Sequence, residues 1–291
     1  MRYSKRFCVA PGSKVDLGKV DAGFKDKHET HQDALAEIET YNQKLHDLQY
    51  LMYAESKRSL LIVLQGRDAA GKDGTINHVL EAMNPQGCSV TGFKVPSKEE
   101  AAHDFLWRYH QHTPGKGQVA IFNRSHYEDV LVVRVHDLVP KKVWSRRYEL
   151  INDFERMLYE NGTHILKFYL HIDPGEQLER FKQRIDDPAR HWKISDGDYA
   201  ERPYWDAYTK AFEAALETCS TRHAPWFIIP SNHKWFRNLA ISRIVAETLE
   251  SLDMKFPEPT VDINEIKKKY HAIVAEEGET GAGKNARKGK K

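Results

Sequence analysis

Cysteine is scarce in this chain: Cys8, Cys88 and Cys219 are the only three in 291 residues, widely separated and odd in number. That argues against a disulfide framework or a zinc ribbon and for a reducing compartment, so a cytoplasmic location is expected. No apolar run is long enough to cross the hydrocarbon core of a bilayer, and no membrane partner is expected. The first residues, MRYSKRFCVAPGSK, contain no extended apolar core, so a secretory signal is not expected. A surplus of one charge sign is also missing. The formal net charge is only +2, which predicts no general attraction to nucleic acid and requires any basic site to be local. Internal repeats are absent, and no Pro/Gly-rich linker divides the middle of the chain.

What is present is concentrated in Leu60–Thr75, LLIVLQGRDAAGKDGT. Leu60 to Leu64 form a continuous apolar run, as expected for a parallel strand buried on both faces. Gly66, Gly71 and Lys72 then match the G-x-x-x-x-G-K phosphate loop. Such a loop turns backbone N–H groups and a helix N-terminus toward phosphate oxygens, and the lysine adds a mobile positive charge. Ile76, Val79, Leu80 and Met83 recur at helical spacing, so a helix packs back on the strand. Gly278, Gly283 and Lys284 repeat the spacing, but no strand precedes them and that match is rejected. The usual Ser or Thr after the lysine is replaced by Asp73, and Asp68 adds a carboxylate inside the loop. Bare acids repel phosphates, so both make sense with metal ions between them. The plainer readings are a turn residue for Asp68 and a helix-dipole charge for Asp73.

The rest of the chain alternates strands and helices. Residues 1–30 read as an arm that lies on the domain or on a neighbour. A helix is predicted over Asp33–Ser56, a strand over Ser89–Val95, and a Ser97/Glu100 capping box opening a helix through Tyr109. Further strands fall at Gln118–Phe122, His164–Ile172 and Trp226–Pro230; helices start at Pro140, after Asp173, and at Trp235. This alternation predicts an α/β fold with a parallel sheet and right-handed crossovers. One domain is expected over residues 31–266. From Lys267 the chain turns Lys- and Gly-rich and is expected to be a disordered basic tail.

Two segments should face the loop. Phe122–Val130, FNRSHYEDV, ends a strand, where ligands bind in such folds; it offers Asn123, Arg124, Glu128 and Asp129 for phosphate or metal. Residues 176–204 carry Arg180, Arg184, Arg190, Lys193 and Arg202 and read as a mobile lid rather than a solvated hairpin, given the loop beside them. His110-x-His112 lacks a supporting Glu or Cys and is not read as a metal site.

The loop QGRDAAGKDGT, the turn FNRSHYEDVLVVRVH, the run EQLERFKQRIDDPARHWKISDGD, and WDAYTKAFE with APWFIIPSNHKWFRN together resemble the polyphosphate kinase 2 family, most nearly its class III members. The likeness covers about Asp33 to Leu252. It implies a thymidylate-kinase-like P-loop kinase core, three-layer α/β/α with a helical lid over 176–204, Mg2+ with Mn2+ as a substitute, and a homo-oligomer, dimer or tetramer. It also implies reversible phosphoryl transfer between inorganic polyphosphate and AMP, ADP, ATP and guanine nucleotides. Asn123 stands where many members carry an acid, which leaves open whether Glu128 or Asp129 takes part of its metal role.

On this reading Asp68, Lys72, Arg124, Arg180 and Arg184 are the catalytic candidates. Phosphate contacts are expected from Gly66, Arg67, Ala69, Ala70, Gly71, Lys72, Asp73, Gly74, Thr75 and Lys193. Nucleotide contacts are expected from Asn123, Arg124, Tyr127, Glu128 and Arg134, and metal contacts from Asp68, Asp73, Glu128 and Asp129. The competing readings are an ATP-dependent nucleoside monophosphate kinase and a non-catalytic polyphosphate- or nucleotide-binding protein.

Overall fold

The computed structural model describes the backbone of residues 2–286 and the side-chain surroundings through residue 275. Five strands form one parallel sheet: β1 (Ser59–Gly66), β2 (Cys88–Gly92), β3 (Val119–Asn123), β4 (Thr163–His171) and β5 (Trp226–Pro230), in the order β2-β3-β1-β4-β5. β1 is central and pairs with β3 (Leu60 opposite Val119) and β4 (Leu60 opposite His164). Its residues explain the layers. Leu60, Ile62 and Leu64 point to one face and Leu61 and Val63 to the other, and all are buried.

On the first face pack α1 (His31–Glu55), α2 (Lys72–Glu81) and α6 (Lys234–Glu250), through Leu45, Met52, Ile76, Val79, Phe236 and Ile241. On the second lie α3 (Lys141–Glu160) and α5 (Trp205–Cys219), through Ile151, Phe154, Phe212 and Leu216. Helix α4 (Pro174–Asp186) follows β4 and opens the lid. Asp173 caps it by accepting from the Glu176 amide at 2.8 Å. The Thr30/Asp33 and Ser97/Glu100 pairs both form reciprocal capping boxes.

The segment after Ser97 differs from its prediction. It forms two short helices, Lys98–Ala101 and Trp107–His110, because Asp104 accepts from the Leu106 amide and starts a second turn. The N-terminal arm lies on the domain. The Val9 amide donates to the Trp226 carbonyl at 2.9 Å and the Ile228 amide to the Phe7 carbonyl at 3.0 Å, so the arm covers the edge of β5.

Backbone contacts separate Met1–Lys255 from a second unit, Phe256–Lys291. The second unit contains α7 (Ile263–Ala286) where a disordered tail was expected. Its stretch NEIKKKYHAIVAEE consists largely of good helix formers. Residues 287–291 of the expected tail lie outside the described residues.

Candidate active site

The phosphate loop leaves β1 at Gly66 and enters α2 at Lys72. Gly71 has φ +105°, a conformation that L residues rarely adopt, so the backbone demands glycine there; a Cβ would also crowd the end of the Arg237 side chain. Ala69, at φ +61°, adds the second left-handed residue of the loop. Lys72 curls back: its Nζ donates to the Gly66 carbonyl at 2.7 Å and the Arg67 carbonyl at 3.2 Å. Burial lowers its pKa, with Asp68 opposing.

The turn after β3 meets the loop residue by residue. Arg124, itself at φ +62°, donates from Nη2 to Asp68 Oδ1 at 3.0 Å. Asn123 Nδ2 donates to Asp73 Oδ1 at 2.9 Å. Burial pulls the Arg124 guanidinium down, but Glu128 and Asp68 outweigh it and hold it above its usual range. Burial raises the Glu128 carboxyl, against Arg124 and Lys72.

Two clefts open from this junction. The first is a groove of about 600 Å³ along the loop and under the lid. Lys72, Arg124, Arg180, Arg184 and Lys193 all line it, as anticipated. Three further cations line it: Arg190, already named among the lid cations, and Lys234 and Arg237 at the start of α6, which were missed. The signal was available in HKWFRN, because the residues after a C-terminal strand of such a sheet converge on the loop. Arg237 is buried, and burial together with Arg180 pushes its pKa down to about 9. The second cleft is narrower and aromatic. Trp205, Tyr208, Phe212 and Leu131 form its apolar walls, with Arg67, Glu128, Gln177, Glu201 and Arg202 as polar groups. The two clefts share Asp68 and Arg124.

Other expected site residues lie elsewhere. The Arg67 guanidinium turns from the groove to the second cleft, 3.7 Å over the Trp205 ring, donating to the Trp205 carbonyl at 2.8 Å and Thr209 Oγ1 at 2.6 Å. Gly66 lines that same cleft. Ala70 and Thr75 are fully buried and do not line the groove, whereas Ala69, Gly71, Asp73 and Gly74 do. Asp129 points away from the loop, accepting from Arg147 Nη1 at 2.8 Å and Tyr109 Oη at 3.1 Å, so the expected metal role is not supported. Burial pushes its pKa up to about 6. Arg134 donates to Tyr148 Oη at 3.1 Å and stacks on Trp144, against α3 and away from both clefts. Tyr127 is fully buried among polar core groups and touches neither cleft. In each case helix or turn phase directs the side chain to the second core face.

Arg180 also needs correction. Nε donates to Glu176 at 2.6 Å and Nη1 to the Ala69 and Ala70 carbonyls at 2.8 and 3.0 Å; Nη2 donates to the Ser231 and Asn232 carbonyls. All its donors are spent on protein, so it braces the loop rather than clamping phosphate. Arg184 differs: its Nη1 donates to Asp198 Oδ2 at 2.6 Å and the Lys193 carbonyl at 3.2 Å, leaving its other edge toward the groove. Arg180→Ala is therefore expected to lower the melting temperature, since each buried carbonyl left unpaired costs about 1–3 kcal/mol. Arg184→Ala is expected to melt close to the parent while losing turnover. Thermal melts beside turnover at saturating substrate check both; equal melting of the two variants would contradict the bracing role.

A phosphate loop that lines a groove opposite cations of the lid and of the start of α6 defines a P-loop phosphotransferase site on an α/β sheet. A family model described as Polyphosphate kinase 2 (PPK2) matches residues 27–257, and the chain belongs to that family. It is 48% identical over 256 residues to the AMP/ADP-polyphosphate phosphotransferase of Meiothermus ruber, covering 88% of this chain and 96% of that one. It is 44% identical over 273 residues to the ADP-polyphosphate phosphotransferase of Rhodopseudomonas palustris, covering 88% and 93%. A solved polyphosphate kinase 2 from Arthrobacter aurescens superimposes with a TM-score of 0.89 at 40% identity, covering 95% of this chain and 97% of that one.

Proposed function

We propose that this protein transfers a phosphoryl group, reversibly, between inorganic polyphosphate and nucleotides, converting AMP to ADP and ADP to ATP and accepting guanine nucleotides as well. The observation that carries the reading is the meeting of two unlike clefts at Asp68 and Arg124. The cation-lined groove suits a long chain with about one charge per residue, which has no base or sugar for a pocket to grip. The aromatic cleft suits a nucleoside, whose phosphate would then lie at the junction. The acceptor's terminal phosphate is itself the nucleophile, so these residues need only position it and neutralise charge.

Mg2+, or Mn2+ in its place, fits the carboxylates of Asp68 and Asp73 on the groove wall. Among the described residues no three ligating side chains gather into a cage. Mg2+ usually takes one or two carboxylates and completes its shell with phosphate oxygens and water. The ion would offset phosphate charge at the acids that otherwise repel it. We further propose a cytoplasmic homo-oligomer, dimer or tetramer, with no nucleic-acid or membrane partner. Among the described residues, no helix is long and apolar enough to cross a membrane.

Incubation with AMP or ADP, each offered polyphosphate or ATP, tests the assignment. Both nucleotides are expected to gain a phosphate from polyphosphate; product from ATP alone would leave an ordinary nucleoside monophosphate kinase, and binding without product a sensor. Donor affinity is also expected to rise with chain length until the groove is filled, and to fall steeply with salt. A chain neutralised by about five cations should show a log–log salt slope of roughly −3 to −4, by the rule for single strands. Equal affinity for short and long chains, with a flat salt response, would contradict the track.

A further inference from the structure

Beneath the active-site turn lies a group of polar side chains with no part in either cleft. His126, Tyr127, Glu155 and Lys167 are each fully buried. Lys167 Nζ, on β4, donates to Glu155 Oε2 at 2.5 Å, Tyr127 Oη at 2.8 Å and the Cys219 carbonyl at 2.6 Å. Tyr127 Oη donates in turn to Glu155 Oε1 at 2.9 Å, and His126 Nε2 lies 3.0 Å from the same oxygen. One residue earlier, Ser125 Oγ accepts from Gln65 Nε2 of β1 at 3.1 Å and from the Tyr127 amide at 3.2 Å. Three consecutive residues of the turn are thus tied to three different elements: Ser125 to β1, His126 to α3, and Tyr127 to both α3 and β4.

The cost of this arrangement shows what it is for. Two charges removed from water gain little net stability even when paired, and apolar residues of similar volume often do as well. The residues flanking the tied segment are Arg124, at the junction of the clefts, and Glu128, which lines the aromatic cleft. Arg124 is held in the left-handed region, which costs an L residue roughly 1–2 kcal/mol. Such a conformation persists only where its surroundings over-determine it. The Arg124 amide donates to the Leu64 carbonyl at 3.1 Å and its guanidinium to Asp68 at 3.0 Å, but the first holds one backbone group and the second reaches across to the loop, so neither fixes the backbone of the turn that follows.

We infer that Ser125–Tyr127, with Glu155 and Lys167, form a buried clamp that positions Arg124 and Glu128 against the phosphate loop. Tyr127 and the Glu155–Lys167 pair are positioning residues for the transfer. Tyr127, expected from sequence to touch nucleotide, acts here through its neighbours. The inference rests on Arg124 being a phosphate-facing group of the proposed site.

Three variants test it. Tyr127→Phe removes only the shared hydroxyl. Glu155→Gln with Lys167→Met removes both charges at nearly constant volume and leaves no unpaired buried ion. Arg124→Ala tests the underlying reading. Turnover is measured with both substrates varied, at a temperature where circular dichroism shows each protein fully folded. Tyr127→Phe and the double variant are each expected to lower kcat about tenfold to a hundredfold, the scale of a small misplacement at a reacting centre. Their KM values should stay within about twofold, because the clefts themselves are untouched. Parent kcat in folded Tyr127→Phe, or a loss carried by KM alone, overturns the clamp. If the double variant does not fold, Tyr127→Phe decides alone. If Arg124→Ala keeps full kcat, the site reading fails; if it loses kcat while Tyr127→Phe does not, only the clamp fails.

Discussion

Lys72→Ala is expected to lower kcat about 10²–10³-fold in a protein that still folds, the usual cost of deleting one charge-stabilising contact to a transition state. The lysine does have protein partners, the carbonyls of Gly66 and Arg67. They are not what holds the loop. The Ala70 amide donates to the Arg67 carbonyl at 3.1 Å, the Thr75 amide to the Gly71 carbonyl at 3.0 Å, and Arg180 grips the Ala69 and Ala70 carbonyls. Loss of the ammonium leaves that scaffold and exposes two carbonyls to the groove. Among the described residues this part-buried ammonium, resting on neutral carbonyls, has no counter-charge in hydrogen-bond contact, and it gains one when an anion arrives. Burial depresses its pKa for the same reason, and a bound phosphate would raise it again. Single-turnover rates with polyphosphate and ADP, beside circular dichroism of the variant, check the result. Turnover near that of the parent would remove the phosphate loop from the mechanism. Lys72→Arg should not restore the rate, because a planar fork cannot follow a moving phosphoryl group as a compact ammonium does.

The loop and the sheet were legible because both rest on local signals. The run Leu60–Leu64 and the spacing of Gly66, Gly71 and Lys72 lie within one strand–turn–helix, and their geometry follows from neighbours in sequence. Trp226–Pro230 was placed to the residue for the same reason. The role of Arg180 was not legible. Its i,i+4 spacing with Arg184 put both on one helix face, which is correct, but spacing does not say what the face meets. Arg180 meets carbonyls at positions 69, 70, 231 and 232, supplied by two distant loops. Tyr127, Asp129 and Arg134 were misplaced because they follow Arg124 in the chain. The turn after β3 rotates successive side chains between the clefts and the second core, and no periodic pattern over so few residues reveals the phase. Lys234 and Arg237 were missed for a different reason: the one signal that joins the start of α6 to a loop more than 160 residues earlier is topological, the C-terminal end of the preceding strand facing that loop.

Asp68→Asn is expected to cost about 10²-fold in kcat, more than Asp73→Asn, although both acids flank Lys72. The difference lies in their partners. Asp68 lines both clefts and holds the Arg124 guanidinium, whereas Asp73 accepts from the neutral amide of Asn123. An asparagine at 73 can keep that hydrogen bond through its carbonyl oxygen; an asparagine at 68 loses the ionic part of its bond to Arg124. The sign of the effect on donor binding tests the proposed metal. Without a divalent cation, Asp68 repels polyphosphate, so the asparagine variant should bind it more tightly in chelator. A unit charge about 4 Å away is worth roughly 1 kcal/mol in water and about 4 near a protein surface, enough to read by calorimetry. With Mg2+ present the order should reverse, because the carboxylate then draws in the ion that bridges to phosphate. Activity of the variant should recover only in part as Mg2+ is raised, since the ionic part of the tie to Arg124 is not restored. Tighter binding by the variant in both conditions, with an unchanged Mg2+ requirement, would make Asp68 a partner of Arg124 alone and remove it from the metal site.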